Sequence, residues 1–161
     1  MALSASIMAP AASPNVVNGF FIYKGTDTIA EGEPFVFDVT HPGEIARPTG
    51  SSDVFAGVAA RDYPADSGNR QIELNLPGSH GVKICVKGSS SSTVSAGTVV
   101  LVCYKATTGS KVFKAAGSPH ALTALTIGDA ILREAITTDS DGLGAGKADL
   151  CIAPYTIQSE S

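Results

Sequence analysis

Ile29-Ala-Glu-Gly32, the apolar run Pro34 to Val39, a turn at Pro42-Gly43 and Phe55-Ala-Gly57-Val-Ala59 form a cadence that recurs about 65 residues on. The second copy reads Val94-Ser-Ala-Gly97, then Val99 to Tyr104, a turn at Thr108-Gly109 and Thr126-Ile-Gly128-Asp-Ala130. Lys24-Gly25 and Lys87-Gly88 introduce the two copies. An apolar run, a glycine turn and a returning apolar run are hairpin chemistry, and repeated units of this kind build small β-barrels and β-sandwiches. The expectation is therefore an all-β chain with an internal strand-turn-strand repeat. Nothing in the cadence asks for catalysis, which points first to a structural protein.

Outward from the repeat, residues 19–24 read as a strand ending at the Gly25 turn. Residues 34–40 read as a second strand with Phe35, Phe37 and Val39 on one face, and residues 44–47 as its hairpin partner. Residues 54–60 follow, with Gly57 marking a bulge or a close backbone approach. Residues 61–70 form a polar loop. Residues 71–76 and 81–87 alternate, pointing Ile72, Leu74, Leu76, Val82, Ile84 and Val86 inward. Residues 99–104 are apolar on both faces, so this strand is expected to be the most buried or to meet a neighbouring chain. Residues 111–115 answer it. Residues 120–136 fit a short helical turn or a strand, and the repeat favours the strand. Asp139-Ser-Asp-Gly142 is a hairpin turn, residues 143–147 read as a loop, and residues 148–153 as the closing strand. The organisation expected is an extended or flexible arm over 1–18, one all-β domain over 19–154, and a polar tail over 155–161.

Composition narrows the partners. Among 161 residues only 16% are charged, below the usual ~25%, so part of the surface is expected to be covered in an oligomer or an assembly. The net charge of −4, with no Lys/Arg cluster, argues against a nucleic-acid partner. No apolar run approaches the ~20 residues of a membrane span. The arm has no Lys or Arg, and Pro10 and Pro14 interrupt it, unlike a secretory signal. Cys85, Cys103 and Cys151 are then expected as reduced thiols in a chain made in a cytoplasm, a Cys85–Cys103 disulfide being the alternative.

Chemistry-bearing patterns are sparse. His41, His80 and His120 lie far apart in turns, without a second ligand at metal spacing. Asp139-x-Asp-Gly142 lacks the bidentate Glu of a calcium loop. Residues 143–147 lack P-loop spacing, and Ser79-His80 is adjacency without a triad. Residues 57–63, Gly-Val-Ala-Ala-Arg-Asp-Tyr, resemble a dUTPase segment, and Gly128-Asp-Ala-Ile-Leu132 another. The family's water-activating Asp falls on Ala60, which has no base to offer, and its phosphate-binding and C-terminal motifs are missing. The chain is read as no enzyme, with no cofactor and no metal.

As a whole, residues 20–154 resemble the head decoration, or capsid cement, proteins of tailed bacteriophages. The resemblance rests on the cadence of glycine, apolar run and turn, and on Asp53-Val-Phe-Ala-Gly-Val-Ala59 after Pro48-Thr-Gly50. Ile127-Gly-Asp-Ala130 echoes that segment, and the arm of small residues fits. It implies a virion protein, made in the host cytoplasm, that binds the capsid exterior between capsomers. Its partners would be the major capsid protein and itself, as a trimer or dimer at matching symmetry sites. The contacts are expected from the arm (Leu3, Ile7, Met8, Pro10, Pro14, Val16) and the polar loop (Arg61, Asp62, Tyr63, Arg70). A carbohydrate-binding or host-adhesion module is the competing class. It would use exposed aromatics, for which Tyr63 and Tyr155 are the candidates.

Overall fold

Alternating apolar and polar side chains set the strands, and the closing of two strand rings buries the apolar set. The computed structural model describes residues 15–115, 130–151 and 158–159, and contains no helix among them. The first ring comprises β1 (Asn18–Tyr23), β2 (Pro34–Phe37), β3 (Glu44–Ala46), β4 (Phe55–Ala59) and β5 (Arg70–Asn75). They close in the order β1-β3-β2-β4-β5, with β5 pairing back onto β1 from Asn18↔Asn75 to Tyr23↔Arg70.

The second half contains β6 (Val82–Lys87), β7 (Thr93–Val94), β8 (Val99–Tyr104), β9 (Phe113–Ala115), β10 (Ala130–Leu132), β11 (Ile136–Thr137), β12 (Leu143–Leu150) and β13 (Gln158–Ser159). The order β10-β12-β6-β9-β8 closes through β10–β8 pairing, giving a second five-stranded barrel. β7 and β11 form a two-stranded ribbon, and β13 runs parallel beside β8. Each barrel has one parallel contact, β1–β3 in the first and β6–β9 in the second. β1, β2, β3, β4 and β5 thus correspond to β6, β8, β9, β10 and β12.

The duplication extends to single hydrogen bonds. Gly32 N–H donates to Ala59 O, Glu33 N–H to Ala30 O, and Ala59 N–H to Glu33 O. In the second barrel Gly97 N–H donates to Leu132 O, Thr98 N–H to Ser95 O, and Leu132 N–H to Thr98 O. Gly32 and Gly97 have φ of +93° and +79°, a turn conformation that glycine adopts without steric cost. These bonds align Ala59 with Leu132, whereas the sequence cadence aligned Ala59 with Ala130. The two-residue slip leaves every face unchanged, because side chains on a strand repeat every second residue. Gly128 lies outside the described residues.

The span read as one domain therefore holds two barrels, and they share a core. Barrel 1 encloses Tyr23, Ile29, Phe35, Ile45, Ile72 and Leu74. The other cluster joins Val82, Ile84, Val86, Val100, Val102, Phe113, Leu132 and Leu150 of barrel 2 to Val36, Phe55 and Val58 on the outside of barrel 1. Phe55 meets Phe113 edge-to-face at 5.8 Å, so the seam between barrels is packed like an interior. β8, expected to be the most buried strand, is buried along most of its length, but β4 exceeds it, being buried at every position.

Three local readings change. Within the expected polar tail, Gln158–Ser159 forms β13 and pairs with β8. The strand expected over 34–40 stops at Phe37, because Asp38 Oδ1 accepts the Thr40 N–H at 2.9 Å and turns the chain, so Phe35 is buried while Phe37 and Val39 are exposed. Residues 143–147, read as a loop, begin the eight-residue strand β12. Its glycines mark close packing instead of a turn: a Cβ on Gly144 or Gly146 would stand 2.7 Å from the Ile136 side chain.

Candidate interaction surface

The residues expected to make contacts fall into two groups. Leu3, Ile7, Met8, Pro10 and Pro14 lie outside the described residues, as do Tyr155 and His120. Val16 is exposed at the point where the chain joins the barrels. There Val17 N–H donates to Ser79 Oγ at 3.0 Å, Leu76 N–H donates to Val17 O at 2.8 Å, and Asn15 bridges His80. Residues 15–17 are thus tied to residues 76–80, the connection between the barrels.

The loop 61–70 is brought together, but half of it is committed internally. Arg61 lies over the Tyr63 ring at 5.2 Å. The Tyr63 hydroxyl accepts the Glu73 N–H at 2.7 Å, so the ring is half-buried against β5. Asp62 Oδ1 accepts the Glu31 N–H at 2.7 Å. Arg70 turns inward and donates to Pro64 O and Asp27 O. Arg61 and Asp62 are the members of this set that present to solvent; Arg70 serves the fold.

The surface that sequence reading missed is apolar. Val16, Val17, Phe20, Ile22, Phe37, Val39 and Val54 are exposed around barrel 1, against Ile131 and Leu143 in barrel 2. They sit on β1 and β2 or just beside β1, β2 and β4, strands that neighbour one another through β3. In Gly19-Phe-Phe-Ile-Tyr23 the run of apolar residues hid the alternation: Phe21 and Tyr23 point in, while Phe20 and Ile22 point out. Exposed apolar side chains are thus more numerous around barrel 1 than around barrel 2, and the outer side of β1 is the candidate interaction face.

Beneath the seam is a buried charge cluster. Arg47 is 6% exposed; its Nη2 donates to Glu33 Oε2 at 2.6 Å and Asp27 Oδ2 at 2.9 Å. Its guanidinium lies over Phe35 at 4.4 Å, and its Nε and Nη1 are buried without a hydrogen-bond partner among the described residues. The ring face supplies the attraction that an acceptor otherwise would. Burial, with the bond it donates to Asp27, pushes the Tyr23 hydroxyl up to about 12. Burial would also raise Asp27, yet bonds from Tyr23, Lys111 and Arg47 hold its carboxyl well below the usual range. This is a structural ion cluster.

An open groove of about 580 Å³ follows the seam, lined by Glu33, Cys85, Lys105, Gly109, Lys111 and Leu143 among others. Burial and then the nearby Glu33 push the Cys85 thiol up to about 11, so little thiolate exists at neutral pH. We expect iodoacetamide at pH 8 to label Cys85 far more slowly in the folded chain than in urea, read by peptide mass spectrometry. Equal rates would refute that burial. Cys85 and Cys103 are not bridged: they sit on β6 and β8, which β9 separates.

Among the described residues, one group offers metal donors. Asp38, His41 and Glu44 place ligand atoms within 4.8 Å of one another on the β2–β3 turn. The atoms are already engaged, His41 Nδ1 with Asp38 Oδ2 at 3.0 Å and Glu44 Oε2 with Lys24 Nζ at 2.7 Å. A cation would have to displace Lys24. His80 stands 3.4 Å from Asp149. The arrangement around residues 57–63 puts Gly57 and Val58 in buried β4, with Ala60 N–H bonded to Glu73 O. No helix among the described residues is long and apolar enough to cross a membrane. No family model and no curated protein matches the chain.

Proposed function

We propose that this chain is a structural virion protein that binds the exterior of an assembled phage capsid between capsomers and stabilises it. The observation that carries the reading is the excess of exposed apolar side chains around barrel 1, on a double barrel whose N-terminal segment joins beside the inter-barrel connection. A cement protein needs a stiff body, a face that prefers protein to water, and an arm that can add avidity. Twinned barrels with a shared core supply the first, and Val16, Val17, Val39 and Val54 supply the second. The low charge content is consistent with such a covered surface. Specificity for the major capsid protein rests on the resemblance to head decoration proteins. The carbohydrate-binding alternative draws less support, since the Tyr63 hydroxyl and ring edge are committed to β5.

Quantitative mass spectrometry of purified virions tests the reading directly. A copy number comparable to that of the shell protein is expected, and absence from particles would discard it. Removing residues 1–14 should weaken capsid binding about tenfold or more, a loss of roughly 1.4 kcal/mol or greater, while far-UV circular dichroism stays unchanged. Unaltered binding would remove the arm from the contact.

A further inference from the structure

We infer that copies of this chain associate head to tail, the Gly97 turn of one copy seating on the outer face of β1 of the next. The duplication itself supplies both halves of the contact. Within one chain the Gly32 turn of barrel 1 is seated on β6 of barrel 2. Gly32 is buried there, its carbonyl accepts the Cys85 N–H at 3.0 Å, and a Cβ on it would lie 2.8 Å from Ile84 Cα. The equivalent turn in barrel 2, matched hydrogen bond for hydrogen bond, leaves Gly97 exposed, with no atom of the described residues within 4 Å of a Cβ.

The receiving surface is also left over. Tyr23 and Val86 both point inward, and each pairs with the parallel strand of its barrel, Tyr23 with Ile45 and Val86 with Phe113. Lys83 and Cys85, which lie under the Gly32 turn, therefore correspond to Phe20 and Ile22 on β1. Phe20 is 58% exposed and Ile22 37%. Among the described residues, one chain thus holds one filled contact, one unused turn and one unused seat.

The residues that differ between the filled and the unused contact differ together. In the filled contact Lys83 Nζ faces Glu31 Oε2 at 3.7 Å, and the Cys85 thiol donates to Glu31 O. At the unused positions Glu31 is replaced by Ala96, Lys83 by Phe20 and Cys85 by Ile22. An ion pair has become an apolar pair on both sides at once, which fits a contact made between chains. The backbone bond is not repeated, because Ile22 N–H already donates to Gly43 O at 3.0 Å. Association between copies then rests on apolar packing and is weaker than the seam. The two surfaces are different patches, so the contact is heterologous and closes a ring or extends as a filament; it is not a two-fold dimer contact.

This deepens the homo-oligomer element of the proposed function, and its test uses the isolated full chain with no capsid present, so either reading can fail alone. Sedimentation velocity should show concentration-dependent association, and Phe20→Glu should weaken it about tenfold or more by placing a charge in an apolar contact. Phe20 is exposed, so the variant keeps its fold, checked by circular dichroism. Mixed under oxidising conditions, Phe20→Cys and Ala96→Cys chains should form a disulfide-linked pair that neither forms alone and the unaltered chain, with its three cysteines, does not form. A monomer at every concentration overturns the proposal, as does association indifferent to Phe20→Glu, or cross-linking by Phe20→Cys alone. Association appearing only after removal of residues 1–14 would assign the face to the chain's own arm and equally overturn it.

Discussion

Arg47→Ala is expected to destabilise the protein by about 3–5 kcal/mol, the range for breaking a buried ion pair from one side. Arg47 is the cation that faces Glu33 in the seam, where the Glu33 side chain is 10% exposed, with Lys111 Nζ more distant at 3.9 Å. Without Arg47 the Glu33 carboxylate is stranded, and the Phe35 ring loses the guanidinium that lies over it. For a domain stabilised by ~5–15 kcal/mol, that loss is large. Urea unfolding followed by circular dichroism measures it. The diagnostic control is Arg47→Met with Glu33→Leu, which removes both charges and should recover most of the loss. A single substitution as mild as the double one would show that the cluster is not the stabilising element assigned here. The same cluster sets an acid limit. Asp27 is held below its ordinary value, so its ionised form contributes stability that is complete above about pH 4 and is lost as pH falls toward the folded value. Asp27→Asn should therefore be less acid-sensitive than the unaltered chain, and an unchanged acid profile would contradict the assignment.

Phe113→Ala should cost a similar ~3–5 kcal/mol, for a different reason. Phe113 is fully buried in barrel 2, yet its ring contacts Phe55, which projects from the outside of barrel 1. Truncation opens a cavity at the seam, and little can collapse into it because strands wall both sides. If the barrels form one cooperative unit, the unaltered chain unfolds in a single transition, and Phe55→Ala couples to Phe113→Ala by about 0.5–1.5 kcal/mol in a double-mutant cycle. Two separated transitions in the unaltered chain, or strict additivity, would mean that the barrels fold independently.

Much of the architecture was legible in the residues. Gln71-Ile-Glu-Leu-Asn75 and Val82-Lys-Ile-Cys-Val86 carry their face assignment openly, and the structure buries Ile72, Leu74, Val82, Ile84 and Val86 as expected. The glycine turns at 32 and 97 recur at matched places because each needs positive φ at the same corner of a barrel. Elsewhere the signal failed for identifiable reasons. Gly144 and Gly146 looked like a loop, since a glycine required by a neighbour's side chain is indistinguishable in sequence from one required by a turn. Arg70 and Tyr63 looked like surface chemistry, since polar atoms give no sign of being consumed by backbone partners such as Pro64 O and Glu73 N–H.

By itself, the sequence determined the all-β class, the duplication, the turn positions and most of the inward faces, because these depend on period-two alternation and on glycine at local corners. Only the tertiary structure decided that the repeat closes into two rings, that Arg47 is buried between them, and that β6 is covered while β1 is not. Alternation says which side of a strand is apolar, but what covers that side is settled by contacts between residues far apart in the chain. Phe20 and Val36 are both outward apolar residues of barrel 1; packing against barrel 2 leaves the first 58% exposed and the second 2%.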